Sequence, residues 1–290
     1  LTLRLEVWLP LLAVGGVLLC LLGLNLRRRY VRGRLAAESL AAGYVAILEQ
    51  SVPMFARVPA EHRSELEGQM NVFLNEKRFI GCDGLDITDE IRVTIAFYAC
   101  LLVLNRSASC FPGFSSILVY ADTFEVPDVR LDGDIEIHGE AETLGQSWTR
   151  GPVVLSWADV VGSSAAGQRS LNVVIHEFAH KLDEENAEAS GLPLLRDRSQ
   201  CERWTRAFVH AYASLERRVE EGEDPVMDEY ALESPAEFFA VATEAFFCRP
   251  LALRAEFPGV YAQLRTFYCL DPARWSGVDR ARARISRPLR

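Results

Sequence analysis

The sequence has no C-x-x-C pair. Its seven cysteines, at 20, 82, 100, 110, 201, 248 and 269, stand far apart. Cys100, Cys248 and Cys269 fall in apolar, helix-like runs and read as small hydrophobes, so reduced thiols are expected rather than a disulfide framework. Positive charge is also short: the formal net charge is −9, whereas a nucleic-acid binder needs a positive footprint for phosphate contacts. No internal repeat and no low-complexity linker breaks the chain. No small-x-small cleavage pattern follows the amino-terminal apolar run, which argues against a cleaved signal peptide. Histidine is scarce, with five in the chain.

What is present is ordinary globular material. The 290 residues are 49% hydrophobic and 24% charged, enough for a substantial core in one large or two smaller domains. Charge is unevenly placed: five arginines lie between Arg27 and Arg34, and residues 274–290 hold six arginines against Asp279. Residues 7–26 are almost wholly apolar and uncharged, long enough for a helix across a bilayer of about 30 Å. Arg27–Arg29 follow at once, and only Arg4 carries positive charge before the run. That asymmetry predicts a single-pass anchor in the inner membrane with the body on the cytoplasmic side.

Three units are expected: an anchor and basic arm over 1–34, the main folded domain over 36–273, and a basic tail over 274–290. Leu40, Val45 and Leu48 set a helical pattern, and Pro59 opens a second helix carrying Leu66, Met70 and Phe73 on one face. Gly81 to Gly84 is a turn, and Thr88 caps a third helix running to about Leu104, apolar enough to be buried. Short β-type runs follow at 117–120, 135–137 and 153–157. Helices return at about 172–187, 200–220 and 234–247, with one or two more to Cys269. Helices, a small sheet, then helices give an α+β fold, mainly helical.

The informative stretch is His176-Glu177-Phe178-Ala179-His180. Residues four apart project from one helix face, so both imidazoles grip one ion. Glu177 is placed to reach a metal-bound water, and the apolar lead-in (Leu171, Val173, Val174, Ile175) buries the helix. Asp183 lies on the same face, placed to fix a ligand histidine's tautomer. Two of five histidines in one motif on an apolar helix point to zinc. A catalytic zinc takes a third protein ligand and leaves one position for water. Asp183 and Asn186 stand where a three-histidine site would need Gly and His, which excludes that class. The remaining candidates are Glu202 and Glu237, and spacing alone does not choose. Ser234-Pro235-Ala236-Glu237 is by itself a capping box with Pro at the first helical position, which accounts for Glu237 without a metal. His62, His138 and His210 read as non-catalytic, His210 as a core or boundary residue.

The stretch from His176 to Asp183, together with Ser234-Pro235-Ala236-Glu237-Phe238-Phe239-Ala240-Val241-Ala242-Thr243-Glu244, resembles the Mlc titration factor A family of zinc peptidases. Glu76-Lys77-Arg78-Phe79, Ile87-Thr88-Asp89-Glu90, the 151–157 run and Phe267-Tyr268 extend the likeness over about 36–272. The resemblance implies a zincin-like (gluzincin) catalytic domain similar to the anthrax lethal factor protease domain. It implies Zn2+ held by His176, His180 and Glu237, with Glu177 as general base and Tyr230 as an active-site tyrosine near the metal. Glu244, seven residues past Glu237, is placed to support that shell or to pair with an arginine. The substrate implied is a peptide or protein, with residues 153–157 offering an edge to an extended chain. A different reading is a regulatory binding protein that uses the same scaffold to sequester a transcriptional repressor. The amino-terminal span departs from the family's best-known members, which are soluble.

Overall fold

The computed structural model describes residues 2–106, 111–122, 151–165, 172–186 and 190–275, with the side chains of 2–12 and 163–165 outside that description. The strand expected at 135–137 and His138 lie outside the described residues.

Helix α1 (Thr2–Ala37) runs unbroken through the apolar stretch and past Arg27–Arg29. Its last turns rest on α4 (Ala60–Glu76). Arg28 and Arg32 reach Glu76 at 3.5 and 2.8 Å, and the Asn71 amide donates to the backbone oxygens of Leu35 and Glu38. Gly68 permits that approach, because a Cβ there would stand 2.1 Å from the Ala36 oxygen. The transmembrane helix expected at 7–26 is not supported: among the described residues no helix is long and apolar enough to cross a membrane.

The expected helices form. Helix α2 (Ala42–Ser51) follows α1, and α3 (Pro53–Arg57) is a short turn begun by its proline. Helix α5 (Asp89–Val103) starts where Thr88 Oγ1 accepts from the Ile91 N–H at 3.3 Å. Its side chains from Val93 to Val103 are buried, as its composition requires. It packs on α2, α4 and α7 (Val173–Asp183), the helix that carries both motif histidines.

Three short strands lie in the order β1 (Arg78–Gly81), β2 (Ser116–Tyr120), β3 (Val153–Ser156), all parallel. Ile117 and Val119 of β2 point into the core while their neighbours stay half-buried, the alternation of a pleated strand. Sequence patterning missed helix α6 (Trp157–Ala165) and also strand β1, whose four residues carry one turn-forming Gly and no long β-branched run. At the other boundary, Trp157 begins helix α6 (Trp157–Ala165) instead of ending a strand.

The second half is helical: α8 (Arg198–Glu220), α9 (Pro235–Cys248), α10 (Pro250–Glu256) and α11 (Pro258–Tyr268). Prolines at the first position of α9, α10 and α11 start three helices in close succession. Trp204 of α8 stacks on Phe208 and meets Phe239 and Phe267, joining α8, α9 and α11 in one aromatic core. One cysteine reading needs correction: Cys100 is buried as expected, but Cys269 is exposed and ends α11 with a left-handed backbone at φ 54°.

Candidate metal centre

Helix α7 begins at Asn172, whose side chain accepts from the Ile175 N–H at 3.0 Å and removes one orphan donor of the first turn. Val174, Ile175, Phe178, Ala179 and Leu182 face the core. The remaining face carries His176 and His180, one turn apart, with Glu177 beside them. Helix α9 packs against α7. It is capped by Ser234, whose Oγ accepts from the Glu237 N–H at 3.1 Å. That is half of a capping box. The return half, a Glu237 carboxylate reaching back to the cap, is not made; the side chain turns to the histidines instead.

The resulting group is tight. His176 Nε2 and His180 Nε2 are 3.1 Å apart. Glu237 Oε2 lies 3.0 Å from His176 Nε2, and Oε1 lies 3.3 Å from His180 Nε2. Ligand atoms about 2.0–2.1 Å from one tetrahedral ion stand about 3.3 Å from each other, and each pairwise separation here is of that size, with Glu237 meeting the two histidines through different carboxylate oxygens. Glu237 Oε2 is buried and has no hydrogen-bond partner despite its closeness to His176. A buried acceptor facing imidazole nitrogens without a hydrogen bond is what a shared cation resolves. Among the described residues, His176, His180 and Glu237 form the one His/Cys/Asp/Glu group close enough to hold a metal ion.

The far side of His176 is also fixed. Its Nδ1 donates to Glu244 Oε1 at 2.7 Å, and Glu244 is fully buried two turns along α9 from Glu237. This sets the tautomer so that Nε2 presents a lone pair to a metal. Sequence reasoning gave that tautomer-fixing task to Asp183, and the structure corrects it. Asp183 Oδ2 accepts from the Gly191 N–H at 2.6 Å. Gly191 has φ 73° and touches Pro235, where a Cβ would come within 2.2 Å of the Pro235 oxygen. The Gly191 oxygen also receives the Trp204 indole N–H at 3.1 Å. Asp183 therefore ties the end of α7 to the start of α9 through one loop residue, and so helps set the distance between the histidines and Glu237.

Charge in the metal-free group is strongly coupled. Burial works to lower the His176 pKa, but the Glu237 and Glu244 carboxylates beside it prevail and hold the proton up to about 10. Burial works against the Glu237 carboxylate too, yet contact with both histidines keeps it well below the usual carboxylate range. Burial pushes Glu244 up to about 7, opposed by the His176 contact. Glu177 is also raised, first by burial, with the two histidines acting in the opposite sense. Tyr230 sits in a 3-10 turn, Glu229–Leu232, just before Ser234, its ring centroid 5.8 Å from that of His176. It is 42% exposed, open enough to meet a ligand. Burial, followed by the carboxylates of Glu237 and Glu233, pushes its hydroxyl up to about 12, so it is a donor at neutral pH.

The structure thus brings together His176, His180, Glu177, Tyr230 and Glu237. Glu202 is excluded from the group: it is exposed on α8, paired with Arg198 at 3.1 Å, and lines an open depression on that helix's outer face. His210 lies on the same exposed face and is not a core histidine. His62 approaches Asn105 and Trp275, away from the metal group.

A family model described as glucose-regulated metallo-peptidase M90 matches residues 25–269. The chain belongs to this family. Mlc titration factor A of Pectobacterium atrosepticum is 37% identical over 228 residues, covering 77% of this chain and 84% of that protein. Mlc titration factor A of Yersinia pestis is 34% identical over 240 residues, covering 81% and 87%. An uncharacterised protein of Synechocystis is 35% identical over 241 residues, covering 82% and 88%. The M90 match runs from the last turns of α1 to the end of α11, so it spans both helices of the metal group and the docking of α1 on α4.

Proposed function

We propose that this M90 family member is a zinc-dependent peptidase, with the ion held by His176, His180 and Glu237. The observation that supports this best is the convergence of three donor groups: the two Nε2 atoms are 3.1 Å apart, and the Glu237 carboxylate oxygens lie 3.0 and 3.3 Å from them. Two imidazoles and one carboxylate make a donor set suited to zinc, with a fourth position left for water. When bound, zinc supplies a Lewis acid for the peptide carbonyl and lowers the pKa of water at the site toward about 7.

The chain's own groups do the rest. Glu177 accepts the proton of the attacking water and passes it to the leaving amine nitrogen, a task suited to a carboxylate raised by burial. Tyr230 donates its hydroxyl proton in a hydrogen bond to the oxygen that gains charge in the transition state. Glu244 acts through His176, holding its ring and tautomer. The outer edge of β3 carries no partner strand among the described residues, and it offers backbone groups to an extended peptide.

A second reading takes its support from the printed names of the relatives, Mlc titration factor A. On this reading the chain binds a transcriptional repressor through the peptidase scaffold, with or without cleavage. The Glu177→Gln variant separates the two. Peptide hydrolysis should fall by roughly 10²–10⁴-fold while bound zinc and fold persist, and repressor binding should be unchanged. Purified protein that holds no zinc and takes up none on addition sinks the peptidase reading. For location we propose the cytoplasm, where the free thiols found among the described residues stay reduced. Protease added outside intact spheroplasts should leave the domain uncut.

A further inference from the structure

Away from the metal group, a cavity of about 260 Å³ opens between the end of α5, the loop before α8 and the end of α11. Its polar lining is Asn105, Arg106, Arg196, Gln200, Thr266 and Cys269, and no Asp or Glu lines it among the described residues. In a chain of net charge −9, two guanidiniums on one small cavity with no lining carboxylate are unusual. Each is held in place. Arg106 lies over the Phe267 ring at 4.1 Å, and its NH1 is buried with no hydrogen-bond partner. An orphaned donor on a permanently charged group is costly to bury, so it calls for an acceptor. Arg196 reaches the Cys269 Sγ at 3.4 Å, while its backbone N–H donates to Gln200 Oε1 at 3.0 Å. Asn105, at φ 60°, donates its side-chain amide to the Cys269 oxygen at 3.3 Å, fixing the rim. Glu185 feels the charge of Arg106 but does not line the cavity.

We propose that this cavity binds the oxyanion of a small molecule, a phosphate monoester or a carboxylate, between Arg106 and Arg196. The guanidinium fork matches both groups, and charge-assisted hydrogen bonds are the strong ones. The volume lies below the range of about 300–1,000 Å³ for drug-sized pockets, so it suits a headgroup and a few further atoms. Thr266 and Asn105 can add neutral hydrogen bonds at the rim.

The test is calorimetric titration of the metal-loaded full chain at low ionic strength with inorganic phosphate and, in parallel, with acetate. One ion per chain should bind, and Arg106→Gln and Arg196→Gln should each weaken binding by roughly tenfold or more, as loss of a charged hydrogen bond implies. Arg196 is exposed, so its variant should fold even if loss of the Arg106–Phe267 contact unsettles the other. Loss for phosphate alone assigns a phosphate ester, and loss for acetate assigns a carboxylate; either supports the site. If neither ion binds, or if Arg196→Gln binds both as tightly as the parent, the proposal is overturned, since an anion on the metal would be indifferent to Arg196.

Discussion

Glu244 accepts the Nδ1 proton of His176 at 2.7 Å from a position with no solvent exposure. A carboxylate in that place raises the basicity of the ligand nitrogen and prevents the ring from turning. Glu244→Ala should therefore lower metal affinity by roughly 10–100-fold. Glu244→Gln, which keeps an acceptor oxygen, should recover part of that loss. Competition with a chelator of known affinity measures both, and equal affinity in parent and alanine variant would remove the positioning role.

The third ligand can be tested against its rival. Glu237→Ala should lose stoichiometric metal under the same chelator competition, because two imidazoles alone leave the site short of a donor. Glu202→Ala, on the outer face of α8, should keep it. The reverse pattern would return the assignment to Glu202.

Tyr230→Phe removes a hydroxyl and little else. Bound metal and KM should hardly change, while kcat should drop by roughly 10²–10³-fold, as when one oxyanion donor is lost. A variant with parental kcat would make Tyr230 a packing residue of its turn.

The pH dependence of metal uptake follows from His176. Its proton in the metal-free protein is held up to about 10 against an ordinary 6.5, with burial opposing and Glu237 and Glu244 prevailing. A raised pKa contributes stability that is full below 6.5 and is lost as pH rises through about 10. A metal must displace that proton, so affinity should increase with pH across the same window, with proton release on binding. Calorimetry in buffers of different ionisation enthalpy counts the protons. Uptake without proton release near neutral pH would show that His176 is already neutral.

Much of the site was legible because it is local. His176, Glu177 and His180 sit on one helical turn, and their spacing states their geometry without further folding. The excluded three-histidine pattern was legible for the same reason. Glu237 was harder: its capping box gave it a complete structural explanation, and only packing of α9 on α7 shows that Ser234 caps alone. Asp183 lost the role read for it for a similar reason. Helical periodicity puts Asp183 on the correct face of α7, but the Gly191 N–H claims its oxygen, and nothing in the sequence announces that loop's path. In the fold, helices with caps and long apolar faces were found within a few residues, whereas β1 and the start of α6 were not. Short strands in a buried parallel sheet carry no alternation long enough to read.

His176 and Glu244 are 68 positions apart in the chain, and Glu237 lies across the same gap. An unfolded chain therefore offers a metal little more than the isolated histidine pair, and the complete set of donors exists once α9 has docked on α7. Metal then binds the native state far better than the unfolded one and stabilises it in proportion to the logarithm of free metal over the dissociation constant. On the proposed function, a cell short of metal would hold a chain that opens more often and is degraded sooner, so supply of the ion would govern how long the protein lasts.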